Sequence, residues 1–173
     1  MGSAAVQLGK AAGARVIGVV GGPAKVEAAR ALGADVVVDR HTQDFVAVVK
    51  EVTDGRGADV VYDPVGGETY TRSTKCIAFE GRILVVGFAG GTIQSAALNH
   101  ALIKNYSIVG LHWGLYNDRD PTSVRECHEQ LSVLARDGVI KPLVSERLEL
   151  GAVADGLQRL AEGSTVGRVV LAS

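Results

Sequence analysis

Three short stretches carry residue types able to hold a nucleotide. The first is Val20-Gly21-Gly22-Pro23-Ala24-Lys25. Pro23 suits the first position of a helix, which makes Gly22 its cap. A glycine cap offers no side chain to the free N–H groups, so they stay open to an anion. Lys25 then falls in the first helical turn, where a cation opposes the helix dipole unless an anion is bound. No Asp or Glu ends the run before Gly21, where sheets that read an unphosphorylated ribose place one. Arg40, just past the next Val-rich run, can reach the same spot. Lys25 with Arg40 and no acid points to the 2′-phosphate of NADP(H); two ordinary solvated charges are the alternative. The second stretch is Val61-Tyr62-Asp63-Pro64-Val65-Gly66-Gly67. Asp63 can act as a base, but an Asp before such a turn more often bonds nearby backbone N–H groups. The third is Val85-Val86-Gly87-Phe88-Ala89-Gly90-Gly91, whose glycines allow close backbone approach to a ligand. Phe88 serves either as a cover for a flat ring or as a core residue.

Other chemistries lack their residues. No Gly-x-Ser-x-Gly elbow is present. Gly9-Lys10 lacks the spacing and hydroxyl of a phosphate loop. His128-Glu129 has no second His at zincin spacing, and no Cys-x-x-Cys pair exists. Cys76, Cys127, His41, His100 and His112 are assigned to packing or surface, and no metal site is expected.

The elements that must position these stretches follow a regular beat. Gly13-Ala-Arg-Val16, Gly33-Ala-Asp-Val36 and Gly57-Ala-Asp-Val60 each close a helix or turn and open a Val-rich run. The reading is helix 3–12 (Ser3 as cap), strand 15–20, helix 23–32, strand 35–39, helix 43–53, strand 59–63, helix 67–77, strand 82–87, helix 97–104 and strand 106–111. The strands alternate little, as strands covered by helices on both faces do. Loops at their carboxyl ends line a ligand crevice. The expected fold is therefore α/β, a doubly wound parallel Rossmann sheet, with residues 1–111 as an incomplete NADP-binding unit. Beyond it, Asp120-Pro121 opens a helix with Val124, Cys127, Leu131 and Leu134 on one face, closed by Gly138. A strand near 143–148, a helix 151–162 and a strand 166–171 complete an α-β-α-β extension, residues 112–173. One feature departs from the pattern. The chain opens with a helix whose apolar residues ask for burial between elements, and the strand and glycine turn that normally precede it are absent, save Gly2.

Composition agrees. Of 173 residues, 47% are hydrophobic and 21% charged, as a packed core requires. Gly, Ala and Val make 70 of them, while aromatics are 5%, which suits small-residue helices packed on Val-rich strands. A net charge of −1 speaks against a nucleic-acid partner. No apolar run reaches the ~18 residues of a membrane span, and no secretory leader stands at the start. Two cysteines are too few for a disulfide scaffold, so a cytoplasmic setting is expected.

Taken jointly, Ala4-Ala-Val-Gln-Leu-Gly-Lys10, Ala31-Leu-Gly-Ala-Asp35, Gly55 to Gly67 and Gly81-Arg-Ile-Leu-Val-Val-Gly-Phe-Ala89 resemble the zinc-independent medium-chain dehydrogenase/reductases. The similarity is to their NADPH:quinone oxidoreductase-like branch, and it runs on through Gly138-Val-Ile-Lys-Pro142 and Gly167-Arg-Val-Val-Leu171. It implies hydride transfer from NADPH to a quinone, enone or enoyl thioester, without a metal or covalent nucleophile. It implies that Gly2 matches the last glycine of the cofactor turn, and that Gly21, Gly22 and Lys25 match the adenosine-phosphate loop. Arg40 stands where relatives often carry Tyr. Pro64, Val65, Gly87, Phe88, Ala89 and Gly90 would line the nicotinamide side; no catalytic residue is assigned. It also implies a homodimer paired along strand 106–111. Family members carry a substrate domain of about 100–150 residues before this point. The expectation is thus a fragment lacking that domain and a central first strand, inactive by itself. The alternative is a small non-catalytic module that binds a nucleotide or dimerises.

Overall fold

The computed structural model describes residues 1–172. In chain order the elements are α1 (Gly2–Ala11), β1 (Ile17–Val20), α2 (Pro23–Ala31), β2 (Val36–Asp39), α3 (Phe45–Val52), β3 (Ala58–Asp63), α4 (Glu68–Ser73), β4 (Ile77–Val85), α5 (Leu98–Lys104) and β5 (Ser107–Gly110). A 3-10 turn at Trp113–Leu115 leads into α6 (Tyr116–Arg119) and α7 (Pro121–Arg136). The chain ends with β6 (Val144–Glu149), a 3-10 turn at Leu150–Ala152, α8 (Val153–Ala161) and β7 (Arg168–Ala172). The fold is α/β, and every strand pairing among the described residues is parallel. The α-β-α-β order after residue 112 is present as α7, β6, α8 and β7.

The chain forms two compact units: Met1–His41 with the segment from Gln130 onward, and Thr42–Glu129. Compactness thus divides the chain elsewhere than at residue 111. In the first unit β1 pairs with β2, Ile17 opposite Val36 and Val20 opposite Asp39, and β6 pairs with β7. Val38 is fully buried there. The Gln7 amide clasps both the N–H and the carbonyl of Lys141, at 2.7 and 3.0 Å. In the second unit the order is β3-β4-β5. Its core gathers Tyr70, Ile77, Ile83 and Tyr106, with Val61, Ala101 and Ile108 against them. Asp44 caps α3 by accepting the Val46 N–H at 2.9 Å. Phe45 and Val49, one turn apart, are the buried side of that helix. The Arg72 guanidinium lies 4.6 Å from the centre of the Phe45 ring and pairs with Asp44 at 2.6 Å.

Several sequence expectations are corrected. The helix expected over 67–77 ends at Ser73, and the strand expected from 82 begins at Ile77. The reason is pairing: the Ala58 N–H donates to the Cys76 carbonyl, drawing the segment into the β3 ladder. The register then slips between Ala58 and Val60, and Glu80 takes a left-handed φ of 57°. That bulge splits the strand and hides its first half from pattern reading. Ser3 does not cap α1; the helix starts at Gly2, with Met1 at the cap position. Nor is α1 enclosed, for Val6 is its one buried residue. Gly9 meets Val16 so closely that an added Cβ would lie 2.9 Å from its Cγ2. The strands are not all covered on both faces either. Val61 packs on the Tyr70 cluster, while Val60 and Tyr62, on the opposite face, are 50% and 41% exposed. The 3-10 turn and α6 over 113–119 have no counterpart in the sequence reading. Asp120 does cap the next helix, accepting from Ser123 N–H at 3.1 Å and Ser123 Oγ at 2.6 Å. Gly138 closes its end at a φ of 73°.

Candidate functional site

The sequence-derived residues fall into two clusters, one in each unit. Each sits at the carboxyl ends of paired parallel strands, where doubly wound folds place ligands.

The first cluster joins the ends of β1 and β2. Gly22 caps α2 at a φ of 91° with Pro23 at the first helical position, as its residue types demand. The Gly22 N–H donates to Asp39 Oδ1 at 3.1 Å, and the His41 N–H donates to the same oxygen at 3.0 Å. These two amides, with the Arg40 guanidinium nearby, hold the Asp39 carboxyl below its ordinary value. Asp39 is therefore a brace that ties the two loops together. Over Gly21 lie two basic side chains. A Cβ on that glycine would stand 2.9 Å from Arg40 Nε and 3.0 Å from His41 Nε2. Arg40 and His41 thus fold across Gly21, and a side chain there would push them aside. Lys25 is in the first turn of α2, and its ammonium donates to the Gly163 carbonyl. The structure thus gives Lys25 a partner of its own, and lays the Arg40 side chain over Gly21. Gly2 opens α1. The sequence assigned His41 to packing or surface; the signal for its place here was its position next to Arg40.

The second cluster joins the ends of β3 and β4. Asp63, 2% exposed, accepts the N–H groups of Val65 and Gly66 on Oδ1, both at 2.9 Å. This is the turn-forming role, and no substrate-facing base is made of it. The two loops are zipped by backbone: Ala89 N–H to the Pro64 carbonyl and Gly90 N–H to the Val65 carbonyl, each 2.9 Å. Side chains at 87 or 90 would intrude, since added Cβ atoms would lie 3.3 Å from the Pro64 carbonyl oxygen and 3.0 Å from that of Val65. Gln94 fastens the outside, accepting the Gly67 N–H at 2.9 Å. Nothing in the sequence pattern singles out Gln94. Phe88 is 41% exposed, so it is no core residue, and its ring edge lies 2.9 Å from where a Gly66 Cβ would be.

Among the described residues no group of three or more His, Cys, Asp or Glu can hold a metal. No helix among them is long and apolar enough to cross a membrane. Cys76 is buried and Cys127 exposed.

Comparison with known proteins decides the family. The model of the zinc-binding dehydrogenase family matches residues 1–129. The chain belongs to the medium-chain dehydrogenase/reductases, in their quinone oxidoreductase-like branch. It is 36% identical over 160 residues to the quinone oxidoreductase-like protein 2 homolog of Nematostella vectensis, covering 92% of this chain and 44% of that protein. The quinone oxidoreductase of Pseudomonas syringae pv. tomato superposes with a TM-score of 0.89 at 30% identity, over 99% of this chain and 53% of that one. The Escherichia coli quinone oxidoreductase, solved in complex with NADPH, gives 0.88 and 30% over the same shares. The chain spans about half the length of these relatives.

Proposed function

We propose that this chain is the NADPH-binding part of an oxidoreductase that reduces an activated double bond in a quinone, enone or enoyl thioester. The observation that carries the reading is the basic pair over Gly21. Arg40 and His41 cross a Cβ-free backbone at the mouth of β1 and β2, beside the N-terminus of α2. That arrangement offers a phosphate a guanidinium, an imidazole and a helix end. In this reading residues 1–111 form the NADP-binding part and 112–173 the extension. Gly2, Gly21, Gly22, Lys25 and Arg40 would hold the pyrophosphate and the 2′-phosphate, Lys25 releasing the Gly163 carbonyl to do so. Pro64, Val65, Gly87, Phe88, Ala89 and Gly90 would line the nicotinamide side. The fit is supported by backbones that approach with no side chain between them, at Gly87 and Gly90. NADPH, when bound, supplies the hydride. This chain's residues orient its carrier: the zipped loops present flat backbone to one face of a ring, and Phe88 shields an edge. Relatives named quinone oxidoreductase support the substrate class. The chain by itself is expected to bind cofactor without turnover. The unpaired edge of β5, where Val109 is 39% exposed, is proposed as the line along which a second copy pairs.

The test is a calorimetric titration of the chain with NADPH and with NADH. Micromolar binding of NADPH and weaker binding of NADH are expected. The double variant Lys25→Ala, Arg40→Ala should weaken NADPH by roughly tenfold or more, the worth of one charge-assisted hydrogen bond or better, and leave NADH nearly unchanged. No binding by a folded sample, or equal loss for both nucleotides, overturns the reading.

A further inference from the structure

Two side-chain nitrogens converge on one point above the Gly21 backbone. A Cβ there would meet Arg40 Nε at 2.9 Å and His41 Nε2 at 3.0 Å, so a single phosphate can accept from both. The two donors differ in kind. A guanidinium is charged at every working pH, whereas imidazole is the side chain whose ordinary charge change falls between about pH 5 and 8. The surroundings of His41 decide which form a phosphate meets. Behind the ring, Nδ1 stands 3.9 Å from Asp39 Oδ1. That oxygen accepts the backbone N–H groups of Gly22 and His41, and these bonds keep the carboxyl ionised throughout the neutral range. The turn between β1 and α2, Val20 to Pro23, carries no charged side chain. From α2 comes Lys25, whose ammonium is held on the Gly163 carbonyl. Arg40 is the neighbouring cation. With a phosphate over Gly21 the ring would lie between two anions, Asp39 at Nδ1 and the phosphate at Nε2. Opposite charges at this range favour the charged form, and here they outnumber the one guanidinium beside it. Both neighbours only accept, and only the imidazolium carries an N–H on each nitrogen. The His41 side chain is 58% exposed, so screening keeps the effect to a modest factor.

We propose that His41 is a specificity-determining residue for the phosphorylated coenzyme: it takes up a proton as the 2′-phosphate arrives and binds it as an imidazolium, with Asp39 as the anion behind it. Preference for NADPH over NADH then strengthens from mildly alkaline to mildly acidic pH. Arg40 supplies the part of the attraction that does not change with pH. The proposal rests on the reading above that the mouth of β1 and β2 takes a 2′-phosphate.

The experiment is calorimetry of the whole 173-residue chain with adenosine 2′,5′-bisphosphate and with adenosine 5′-monophosphate, wild type against His41→Gln. The ratio of the two affinities isolates the 2′-phosphate. In the wild type that ratio should rise about three- to fivefold from about pH 8.5 to about pH 6.5, a range in which the phosphate keeps most of its second charge. In His41→Gln, which keeps a donor but cannot titrate, it should stay level or fall slightly. Titrating the wild type near neutral pH in two buffers of different ionisation enthalpy counts the protons and needs no variant. More protons should be taken up with the bisphosphate than with the monophosphate. A level ratio in the wild type, an equal rise in His41→Gln, or no extra proton uptake with the bisphosphate overturns the proposal. Should His41→Gln fail to fold, the proton count decides. The two readings fail differently. If the bisphosphate binds no better than the monophosphate at any pH, the 2′-phosphate reading falls and this proposal with it. If it is preferred by the same factor at every pH and in both proteins, that reading stands on Arg40 and only the role of His41 falls.

Discussion

Gly55 and Gly57 stand two residues apart at the entry to β3, and alanine at each should have very different consequences. Both adopt left-handed φ angles, 82° and 91°. Alanine there costs about 1–2 kcal/mol from the backbone conformation alone. At Gly55 nothing lies within 4 Å of an added Cβ, so that cost is the whole effect. At Gly57 the Cβ would stand 2.6 Å from the Cys76 carbonyl oxygen, 2.8 Å from the Ile77 carbonyl carbon and 2.9 Å from the Ala78 nitrogen. All three are backbone atoms and cannot swing aside. Relief requires β3 and the start of β4 to part by more than half an ångström, and the Ala58 N–H bond to the Cys76 carbonyl is the first to suffer. Overpacking of this kind costs about 1–3 kcal/mol and the hydrogen bond about 1 more. Gly57→Ala should thus destabilise by roughly 3–6 kcal/mol against about 1–2 for Gly55→Ala. Urea unfolding followed by circular dichroism measures both, and at a typical slope of about 1–3 kcal/mol/M the midpoints should separate by about 1 M or more. Equal midpoints would refute the claim that close backbone approach, and not φ alone, reserves position 57 for glycine.

Two further outcomes are expected. Hydrogen bonds hold the carboxyls of Asp35, Asp39, Asp44 and Asp120 below their ordinary values, the largest contributors being Lys10, the His41 N–H, the Val46 N–H and Ser123 respectively. Their contribution to stability is complete above the unfolded carboxylate range near pH 4 and is lost as pH falls below it. The unfolding midpoint should be level from about pH 7 to 5 and drop below about 4, less steeply in Asp39→Asn; an identical acid slope in that variant would remove Asp39 as a brace. Burial pushes the Cys76 thiol up, whereas Cys127 is exposed. A thiol reagent at pH 8 should label Cys127 quickly and Cys76 only at the rate of opening. Two equally fast labels would contradict the buried place given to Cys76.

Local chemistry determined much of this molecule. The Gly-Ala-Asp-Val beat, Pro23 behind Gly22 and Asp120 before Pro121 announce helix starts, strand starts and the parallel α/β class, because caps and β-branched runs act within a few residues. The turn-forming role of Asp63 was legible for the same reason. Tertiary structure decided the rest. Ile77 is strand and not helix because Ala58, nineteen positions earlier, supplies its ladder. His41 lies over Gly21, and Gln94 over Gly67, through folding of loops that share no periodicity with the strands they follow. Phe88 is exposed and Val60 half exposed although both are apolar, since burial depends on which face meets a partner and not on hydrophobicity alone.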